Sequence, residues 1–383
     1  MPAPDLKTML RGLIETPSIS STTPELDQSN QPVIERLANW LEDTDFNVRQ
    51  LPVPNHPGKV NLIATMGKGE GGLVLAGHSD TVPFDENRWQ HDPFKLTEKN
   101  GRLYGLGTSD MKSFLALAIE AAKSFDAKNF KHPLIILATA DEETSMSGAQ
   151  ALCAQDLSGA RYAVIGEPTG LKPINQHKGI LMEAIKLRGQ SGHSSDPSLG
   201  NNALEGMTAV MTELIQWRKA LQKQNTNPAF AVPVPTLNLG HIHGGDNPNR
   251  ICAECELHID LRPLPGMSIE ILRTEIHHRV QNIAEKLKLQ ATFKPLFAGI
   301  EAMQTSTTSP IVQACEQLTQ AKAGSVAFGT EGPYLNQLGI DTLILGPGDI
   351  DQAHQPDEYL SLDKIPPTIE ILKKLIQKFC VDV

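Results

Sequence analysis

The sequence contains little positive charge, few cysteines and no long apolar run. Its 34 lysine and arginine residues are outnumbered by 44 aspartates and glutamates, and the formal net charge of −10 argues against a general nucleic-acid binder. No apolar run approaches the roughly 20 residues that a membrane-spanning helix needs. Asp5 and Lys7 lie where a signal peptide would carry its apolar stretch. We therefore expect a cytoplasmic protein that binds neither nucleic acid nor a membrane.

The five cysteines argue against a disulfide-stabilised scaffold, because they are odd in number and widely scattered. Cys252 and Cys255 have the spacing of a thiol pair, but residues three apart on an extended strand face opposite sides of a sheet. We expect all of these thiols to be reduced. What the composition does contain, 40% hydrophobic and 20% charged residues over 383 positions, is typical of a globular chain long enough for two domains.

Wholly apolar segments alternate with amphipathic ones in the first and last parts of the chain. The predicted strands are 60–66, 72–77, 134–140, 162–166 and 342–346. The predicted helices are 6–14, 33–41, 111–125, 147–154 and 311–321. Strands that are apolar on both faces are typical of a covered, mostly parallel sheet, so we expect an α/β fold.

The middle of the chain has a different pattern, in which apolar and polar residues alternate. Residues 252–262 carry apolar side chains on one face and mostly charged ones on the other, as in a sheet with a single covered face. Long helices are predicted at 202–222 and 268–287, which gives the strand–helix–strand–strand–helix–strand order of a ferredoxin-like α+β domain. We therefore expect residues 178–290 to form an insert within a domain made of residues 1–177 and 291–383.

Acidic and histidine residues follow the ends of the predicted strands. They are His78, Asp80, Glu142, Glu143, Glu167 and His354, and Asp110 precedes a predicted helix. Because the carboxyl ends of the strands border the ligand crevice of an open α/β sheet, separate loops would bring these groups to one place. Any one of them alone is as readily a helix cap or a surface charge.

The joint occurrence of these residues favours a metal centre. Buried acids and imidazoles that converge would destabilise the fold unless cations compensated them. Nitrogen and oxygen donors without thiolates suit zinc-like metals at a site that keeps room for water, unlike a closed structural zinc site. These residues come from five separate places in the chain, and five groups of candidate ligands fit two metals better than one.

The motifs resemble those of the dinuclear zinc amidohydrolases, a family that includes succinyl-diaminopimelate desuccinylase, aminoacylase and carboxypeptidase G. They are HSDTVP at 78–83, GTSDMK at 107–112, DEE at 141–143, GEP at 166–168 and QAH at 352–354. The resemblance covers essentially the whole chain. It implies a zinc-hydrolase catalytic domain whose insert serves as a lid and as the interface of a homodimer.

The resemblance also implies how the ligands divide between the metals. His78 and Glu167 would hold one ion, Glu143 and His354 the other, and Asp110 would bridge them. The ions would be two Zn²⁺, with Co²⁺ as a possible substitute. In this family the peptide bond after the bridging aspartate is cis, here the bond that follows Asp110.

Three further residues are candidates for the catalytic chemistry. Glu142 is the candidate general base, because neighbouring Glu143 is committed to metal. A carboxylate beside two metal ions can take a proton from the water that bridges them, which becomes a hydroxide, and return that proton to the leaving amine. Asp80 would fix the tautomer of His78, although an ordinary turn aspartate is the alternative. His193 would donate to the oxyanion from the partner subunit, as the resemblance implies; otherwise it is a surface-loop histidine.

Substrate binding is assigned to Arg262 and Asn249, with Gly329 and Thr330 supplying backbone donors. A guanidinium matches an α-carboxylate with two hydrogen bonds, although Arg262 could instead form a surface ion pair. Glu331 is one of several acids that could hold a substrate amino group.

Several motifs, among them RLYGLG at 102–107 and GQSGHSS at 189–195, resemble those of the family members that hydrolyse N²-acetyl-L-ornithine to ornithine and acetate in arginine biosynthesis. The resemblance of these motifs implies that the substrate is N²-acetyl-L-ornithine. The alternatives are desuccinylation of succinyl-diaminopimelate or hydrolysis of another N-acyl amino acid, an exopeptidase, and a catalytically inactive binding module. Every residue that the chemistry needs is present, which disfavours the last of these.

Overall fold

The structure is a computed structural model that describes residues 3–382, and its chain divides into two compact units. The first unit contains the chain up to Asn175, Thr305–Gly324 and the chain from Thr330 onward; the second contains Gln176–Gln304 and Ser325–Gly329. The α-helices are α1 (Leu6–Ile14), α2 (Gln31–Glu42), α3 (Lys112–Ala122), α4 (Ser147–Gln150), α5 (Ala203–Gln224), α6 (Ile269–Lys286), α7 (Pro310–Thr319), α8 (Gly332–Gln337) and α9 (Ile365–Ile376).

Most strands alternate with helices in the first unit, and the long strands of the second unit form one antiparallel sheet. The strands are β1 (Asn47–Pro52), β2 (Val60–Met66), β3 (Gly72–His78), β4 (Thr97–Lys99), β5 (Arg102–Tyr104), β6 (Leu134–Thr139), β7 (Ala160–Pro168), β8 (Ile174–His177), β9 (Ile180–Arg188), β10 (Thr236–Gly244), β11 (Glu254–Arg262), β12 (Gln290–Ile300), β13 (Met303–Gln304), β14 (Gly324–Val326), β15 (Asp341–Gly346) and β16 (Tyr359–Ser361).

The first unit is built on a sheet with the strand order β1-β2-β6-β3-β7-β15-β8. Its four central strands, β6, β3, β7 and β15, run parallel. Alternate residues of β3 lie in two separate apolar cores, with Leu73 and Leu75 in one and Val74 and Ala76 in the other. Both faces of the sheet are therefore covered, which explains why these strands are apolar throughout and confirms the expected α/β class.

The second unit is an antiparallel sheet with the order β10-β11-β9-β12, accompanied by α5 and α6. Alternate residues of β11 are buried, as the sequence pattern predicts, and they join the two helices in one core. Numbered within the unit, the strand order is 4-1-3-2 from β12 to β10, with a helix after the first and third strands. This is the expected α+β insert.

The return of the chain to the first unit falls later than the sequence predicts. The insert was expected to end at residue 290, but β12 pairs with β9 and the second unit continues to Gln304. The edge strand β12 is irregular, with register shifts on either side of Phe297 and a proline at position 295. Proline and bulges obscure the alternation that identifies a strand. The chain also enters the second unit at Gln176, two residues before the predicted boundary.

Within residues 3–382, no helix has both the length and the apolar character needed to cross a bilayer.

Candidate metal centre

Adjacent parallel strands bring the predicted acidic and histidine side chains to one edge of the sheet. His78 is the last residue of β3, and Glu167 is the penultimate residue of β7. Glu142 and Glu143 lie in the loop after β6, and His354 lies in the loop after β15. The wholly apolar strands thus end together in a group of polar side chains, because neighbouring parallel strands place their carboxyl ends side by side.

Asp110 lies between the two histidines. Its Oδ1 is 3.2 Å from Nε2 of His78, and its Oδ2 is 3.6 Å from Nε2 of His354. His354 Nε2 is also 3.1 Å from Oε2 of Glu143. One carboxylate therefore offers an oxygen to each of two imidazoles. The peptide bond between Asp110 and Met111 is cis, in agreement with what the resemblance implies.

Two groups of side chains have the geometry of metal ligands. Ligand atoms of His78, Asp110 and Glu143 lie within 4.8 Å of one another, and so do those of His78, Glu142 and Glu167. His78, Asp110 and Glu167 are buried, whereas the side chain of His354 is 54% exposed. The donor set of imidazole nitrogens and carboxylate oxygens suits a divalent ion such as zinc.

The protonation of the group supports the fit to a cation. Burial and the nearby Glu167 raise the pKa of Glu142 well above its usual value, and burial and Asp110 do the same for Glu167. The hydrogen bond with Glu143 and the nearby Asp110 raise the pKa of His354 to about 9, although burial opposes them. Burial and crowding thus disfavour the charged forms of these carboxylates, and a divalent cation would offset that cost.

His78 is fixed through its second nitrogen. Its Nδ1 donates a hydrogen bond of 3.0 Å to the main-chain oxygen of Asp80, which leaves Nε2 as the nitrogen that faces Asp110 and that could bind a metal ion. The carboxylate of Asp80 lies 3.8 Å from Nδ1 and instead accepts the amides of Glu142 and Glu143, each at 3.2 Å. Asp80 therefore fixes the tautomer with its carbonyl oxygen, and its carboxylate holds the loop that carries the two glutamates.

The structural role of Asp141 in this centre was not identified from the sequence. Asp141 adopts a left-handed conformation (φ 63°), and its carboxylate accepts hydrogen bonds from Ser20, Thr144, Ser145 and Ser147. These contacts hold the turn into Glu142. The DEE motif that contains Asp141 is visible in the sequence, but its partners are ordinary serines and a threonine, which give no signal in one sequence.

Glu331 and Lys112 are buried charged residues near the centre. Glu331 accepts a hydrogen bond of 2.7 Å from Thr139, and burial raises its pKa to about 7. Its Oε1 has no hydrogen-bond partner in the part of the chain that the structure describes. At 2% exposure, Glu331 offers almost no surface to a substrate ammonium in this conformation. Burial lowers the pKa of Lys112 to about 7, and its Nζ donates to the carbonyl of Thr16 at 2.8 Å.

Two predicted residues lie together in the second unit. His193 is exposed, and its Nδ1 accepts a hydrogen bond from the amide of Ser195 at 3.2 Å. A β-bridge joins His193 to Arg250, and the neighbouring amide of Ser194 donates to the carbonyl of Asn249 at 3.1 Å. The loops that carry His193 and Asn249 are therefore adjacent.

The remaining predicted substrate residues are at the end of β11 and in the segment before α8. Asp260 binds Arg262 with two hydrogen bonds, 2.8 Å at Nε and 3.0 Å at Nη2. The opposite edge of the guanidinium can still receive a second carboxylate. Gly329 is half-buried against Ile180, and a Cβ at this glycine would meet that side chain at 2.9 Å. Thr330 is fully buried, and its Oγ1 accepts the amide of Gly332.

Comparison with known proteins agrees with this geometry. The model of peptidase family M20/M25/M40 matches residues 74–378. The chain belongs to this family and is a metal-dependent amidohydrolase, which confirms the resemblance of its motifs.

Nearly the whole chain is similar to acetylornithine deacetylases from several bacteria. The acetylornithine deacetylase of Vibrio campbellii is 50% identical over 380 residues, which cover 99% of this chain and 100% of that protein. That of Edwardsiella ictaluri is 50% identical over 377 residues, 98% of either chain.

Solved structures share the fold at low sequence identity. An M20 family metallo-carboxypeptidase from Sulfolobus solfataricus has a TM-score of 0.74 at 16% identity, over 98% of this chain and 99% of that one. A dinuclear metal-binding M20 peptidase from Bacillus subtilis has a TM-score of 0.66 at 15% identity, over 97% and 96% of the chains.

Proposed function

We propose that this protein hydrolyses N²-acetyl-L-ornithine to L-ornithine and acetate, a reaction of arginine biosynthesis, in the cytoplasm. The observation that carries the proposal is the position of Asp110, with one carboxylate oxygen toward His78 and the other toward His354. A shared carboxylate between two imidazoles is the arrangement that a two-metal hydrolase needs. The choice of substrate is supported by the 50% identity to acetylornithine deacetylases over the whole chain.

His78 and Glu167 would hold one metal ion, Glu143 and His354 the other, and Asp110 would bridge them. The nitrogen and oxygen donors favour two Zn²⁺, with Co²⁺ as a substitute. Ions bound there would polarise the amide carbonyl and lower the pKa of water. Asp80 keeps His78 in the tautomer that presents Nε2, and it holds the amides of Glu142 and Glu143.

Glu142 would move the proton in this reaction. Its carboxylate accepts a proton from the attacking water and returns it to the nitrogen of the leaving amine, so that ornithine departs as a neutral amine. The half-buried position of Glu142 beside His78 and Glu167 supports this role, because a partly desolvated carboxylate holds a proton more readily than an exposed one.

The experiment that tests the substrate is a comparison of initial rates after chelation and reconstitution with Zn²⁺ or Co²⁺. We expect metal-dependent release of ornithine from N²-acetyl-L-ornithine and far slower turnover of succinyl-diaminopimelate and of dipeptides. Faster turnover of the succinyl substrate would keep the chemistry but refute the acetylornithine assignment. Faster turnover of dipeptides would make the protein an exopeptidase.

We propose that Arg262, Asn249, Gly329 and Thr330 bind the substrate, with Arg262 holding the α-carboxylate. Asp260 occupies one edge of the guanidinium and orients it, which leaves the other edge for the substrate. Arg262→Ala should therefore raise KM by roughly 10- to 100-fold with a smaller change in kcat. Steady-state kinetics would check this against Arg188→Ala, which removes an exposed arginine paired with Glu254. Equal KM values for the two variants would contradict the assignment.

We also propose that the active form is a homodimer in which His193 stabilises the oxyanion in the partner subunit's site. The exposed position of His193 in a loop of the second unit supports this role. Loss of one such donor costs about 10²- to 10³-fold in kcat, so His193→Ala should be nearly inactive.

A heterodimer of two inactive variants gives the sharpest test of this exchange. One subunit carries Glu142→Gln and the other His193→Ala, and different affinity tags allow the mixed dimer to be purified. If His193 acts across the interface, one of the two sites is complete, and turnover should recover to about half that of the wild type. If His193 acts within its own subunit, or if the protein is a monomer, the mixture stays inactive.

A further inference from the structure

The loop that carries Asp110 is held by a buried carboxylate from another part of the chain. Glu358 is 1% exposed, and its side chain accepts three main-chain hydrogen bonds. Oε2 accepts the amide of Gly107 at 3.1 Å, and Oε1 accepts the amides of Ser109 at 2.6 Å and Asp110 at 3.0 Å. A single carboxylate thus fixes the backbone on the approach to Asp110, and one of its bonds is to Asp110 itself.

The main chain around Glu358 strengthens this contact. The carbonyl of Glu358 accepts the amide of Gly105 at 3.0 Å, and β16, which follows Glu358, pairs with β5, which precedes Gly105. The loop is compact, because a Cβ at Gly107 (φ 86°) would lie 2.8 Å from the side chain of Lys112. The loop is therefore held along its whole length, with little freedom to shift.

Glu358 follows His354 by four residues, so the segment that carries His354 is anchored to the loop that carries Asp110. A second contact joins the same two segments, since Ser109 Oγ donates to the carbonyl of Asp349 at 3.2 Å and accepts its amide at 3.0 Å. The two attachments lie on either side of His354 along the chain. Together they attach the segment that carries His354 to the loop that carries Asp110, and His354 Nε2 lies 3.6 Å from Asp110 Oδ2.

Burial raises the pKa of Glu358 to about 8, although the hydrogen bonds from the three main-chain amides oppose this effect. A buried carboxyl group is costly unless its oxygens have hydrogen-bond partners. Among the described residues, no ion pair joins Glu358 to a lysine, arginine or histidine. A fold that needed only to close this loop could use a neutral side chain. The carboxylate instead provides two acceptor oxygens for three amides that all point toward it.

We infer that Glu358 is a positioning residue for the two-metal centre: by binding the amides of Gly107, Ser109 and Asp110, it sets the separation of Asp110 and His354 that lets both ions bind. The inference rests on the proposed metal roles of these two residues. Hydrogen-bonding partners of metal ligands typically contribute 10- to 100-fold to metal affinity or activity. Glu358 does not contact the carboxylate of Asp110, the proposed bridging ligand, but binds its main-chain amide.

Glu358→Gln tests this role with almost no change in volume. Glutamine keeps one acceptor oxygen but replaces the other with an NH₂ group, which cannot accept the amide that faces it. Asp357→Asn is a matched control, because the neighbouring Asp357 also accepts two main-chain amides, those of Gln90 at 3.0 Å and His91 at 2.9 Å. Its bonds are to a different loop.

The measurement is calorimetric titration of the metal-free proteins with Zn²⁺, together with the visible absorption spectrum after Co²⁺ is bound. We expect Glu358→Gln to weaken at least one of the two sites by about 10- to 100-fold and to alter the Co²⁺ spectrum. Asp357→Asn should match the wild type in both measurements. If Glu358→Gln binds Zn²⁺ with the affinities of the wild type and gives the same Co²⁺ spectrum, the inference is wrong.

Two further results separate the possible failures. If Glu358→Gln does not fold, as judged by circular dichroism, Glu358→Asp is the second variant. It keeps the carboxyl group but cannot reach all three amides, and it should weaken metal binding in the same direction. If neither variant folds, Glu358 belongs to the fold in general and the inference is wrong. If the wild type itself binds fewer than two ions, the proposed function fails, and that result is independent of position 358.

Discussion

Glu142→Gln is expected to lower kcat by about 10²- to 10⁴-fold while both metal ions remain bound. Glutamine has nearly the shape of glutamate, so the hydrogen bonds that Asp80 accepts from the main-chain amides of this loop should persist. What is lost is the oxygen that accepts a proton from water and returns it to the amine. The effect should therefore fall on kcat, with KM for N²-acetyl-L-ornithine nearly unchanged.

The same variant distinguishes two roles that the geometry allows for Glu142. Its carboxylate lies within 4.8 Å of ligand atoms of His78 and Glu167, so it could also be a metal ligand. A general base predicts normal metal content and lost turnover, whereas a ligand predicts weakened metal binding. Glu86→Gln, a change at an exposed glutamate, is the control for the substitution itself. Wild-type kcat in Glu142→Gln would refute the general-base role.

The sequence allowed much of this centre to be predicted because its chemistry depends on strand ends. Apolar strands are easy to recognise, and parallel neighbours must end at the same edge. The positions of His78, Glu143 and Glu167 follow from that rule without knowledge of the tertiary structure. Asp110 and His354 follow less directly, since each is carried by a loop whose course depends on contacts with other segments.

The residues that could not be predicted act through burial and through long-range contacts. Glu358 looks like an ordinary charged residue before a strand, and only the structure reveals that three amides from around residue 110 converge on it. Glu331 is buried for a similar reason, because Thr139 comes from a distant strand. The strand-end rule that brings the metal-ligand candidates together gives no signal for these particular contacts.

One helix also differs from its predicted extent for local reasons. The helix predicted at 147–154 is a single turn, Ser147–Gln150. Gly148 packs so closely against Ala140 and Asn61 that a Cβ there would lie 2.5 Å from their atoms, and the carboxylate of Asp156 accepts the amide of Cys153 just beyond the turn. Tertiary packing and a local side-chain bond thus outweigh the helical periodicity.

His354 and His78 differ in a way that separates the two proposed metal sites. His78 is buried at the end of β3, whereas the side chain of His354 is 54% exposed and comes from a loop in which it adopts a left-handed conformation (φ 59°). Non-glycine residues adopt this conformation only when the surrounding structure stabilises it. Of the two histidines proposed as ligands, His354 is therefore the one that solvent reaches more readily.

His354→Ala is accordingly expected to weaken one metal ion selectively. The ion held by His78, Glu167 and Asp110 keeps all of its ligands, so its affinity should stay near that of the wild type. The second ion loses an imidazole, which should cost more than the roughly 100-fold that loss of an outer hydrogen bond costs. Competition with a chelator of known affinity measures the dissociation constant of each of the two ions. His241→Ala is the control, because it removes an exposed histidine elsewhere that could bind zinc. Equal weakening of both ions would mean that the two sites do not divide as proposed, while unchanged binding of both would remove His354 from the ligand set.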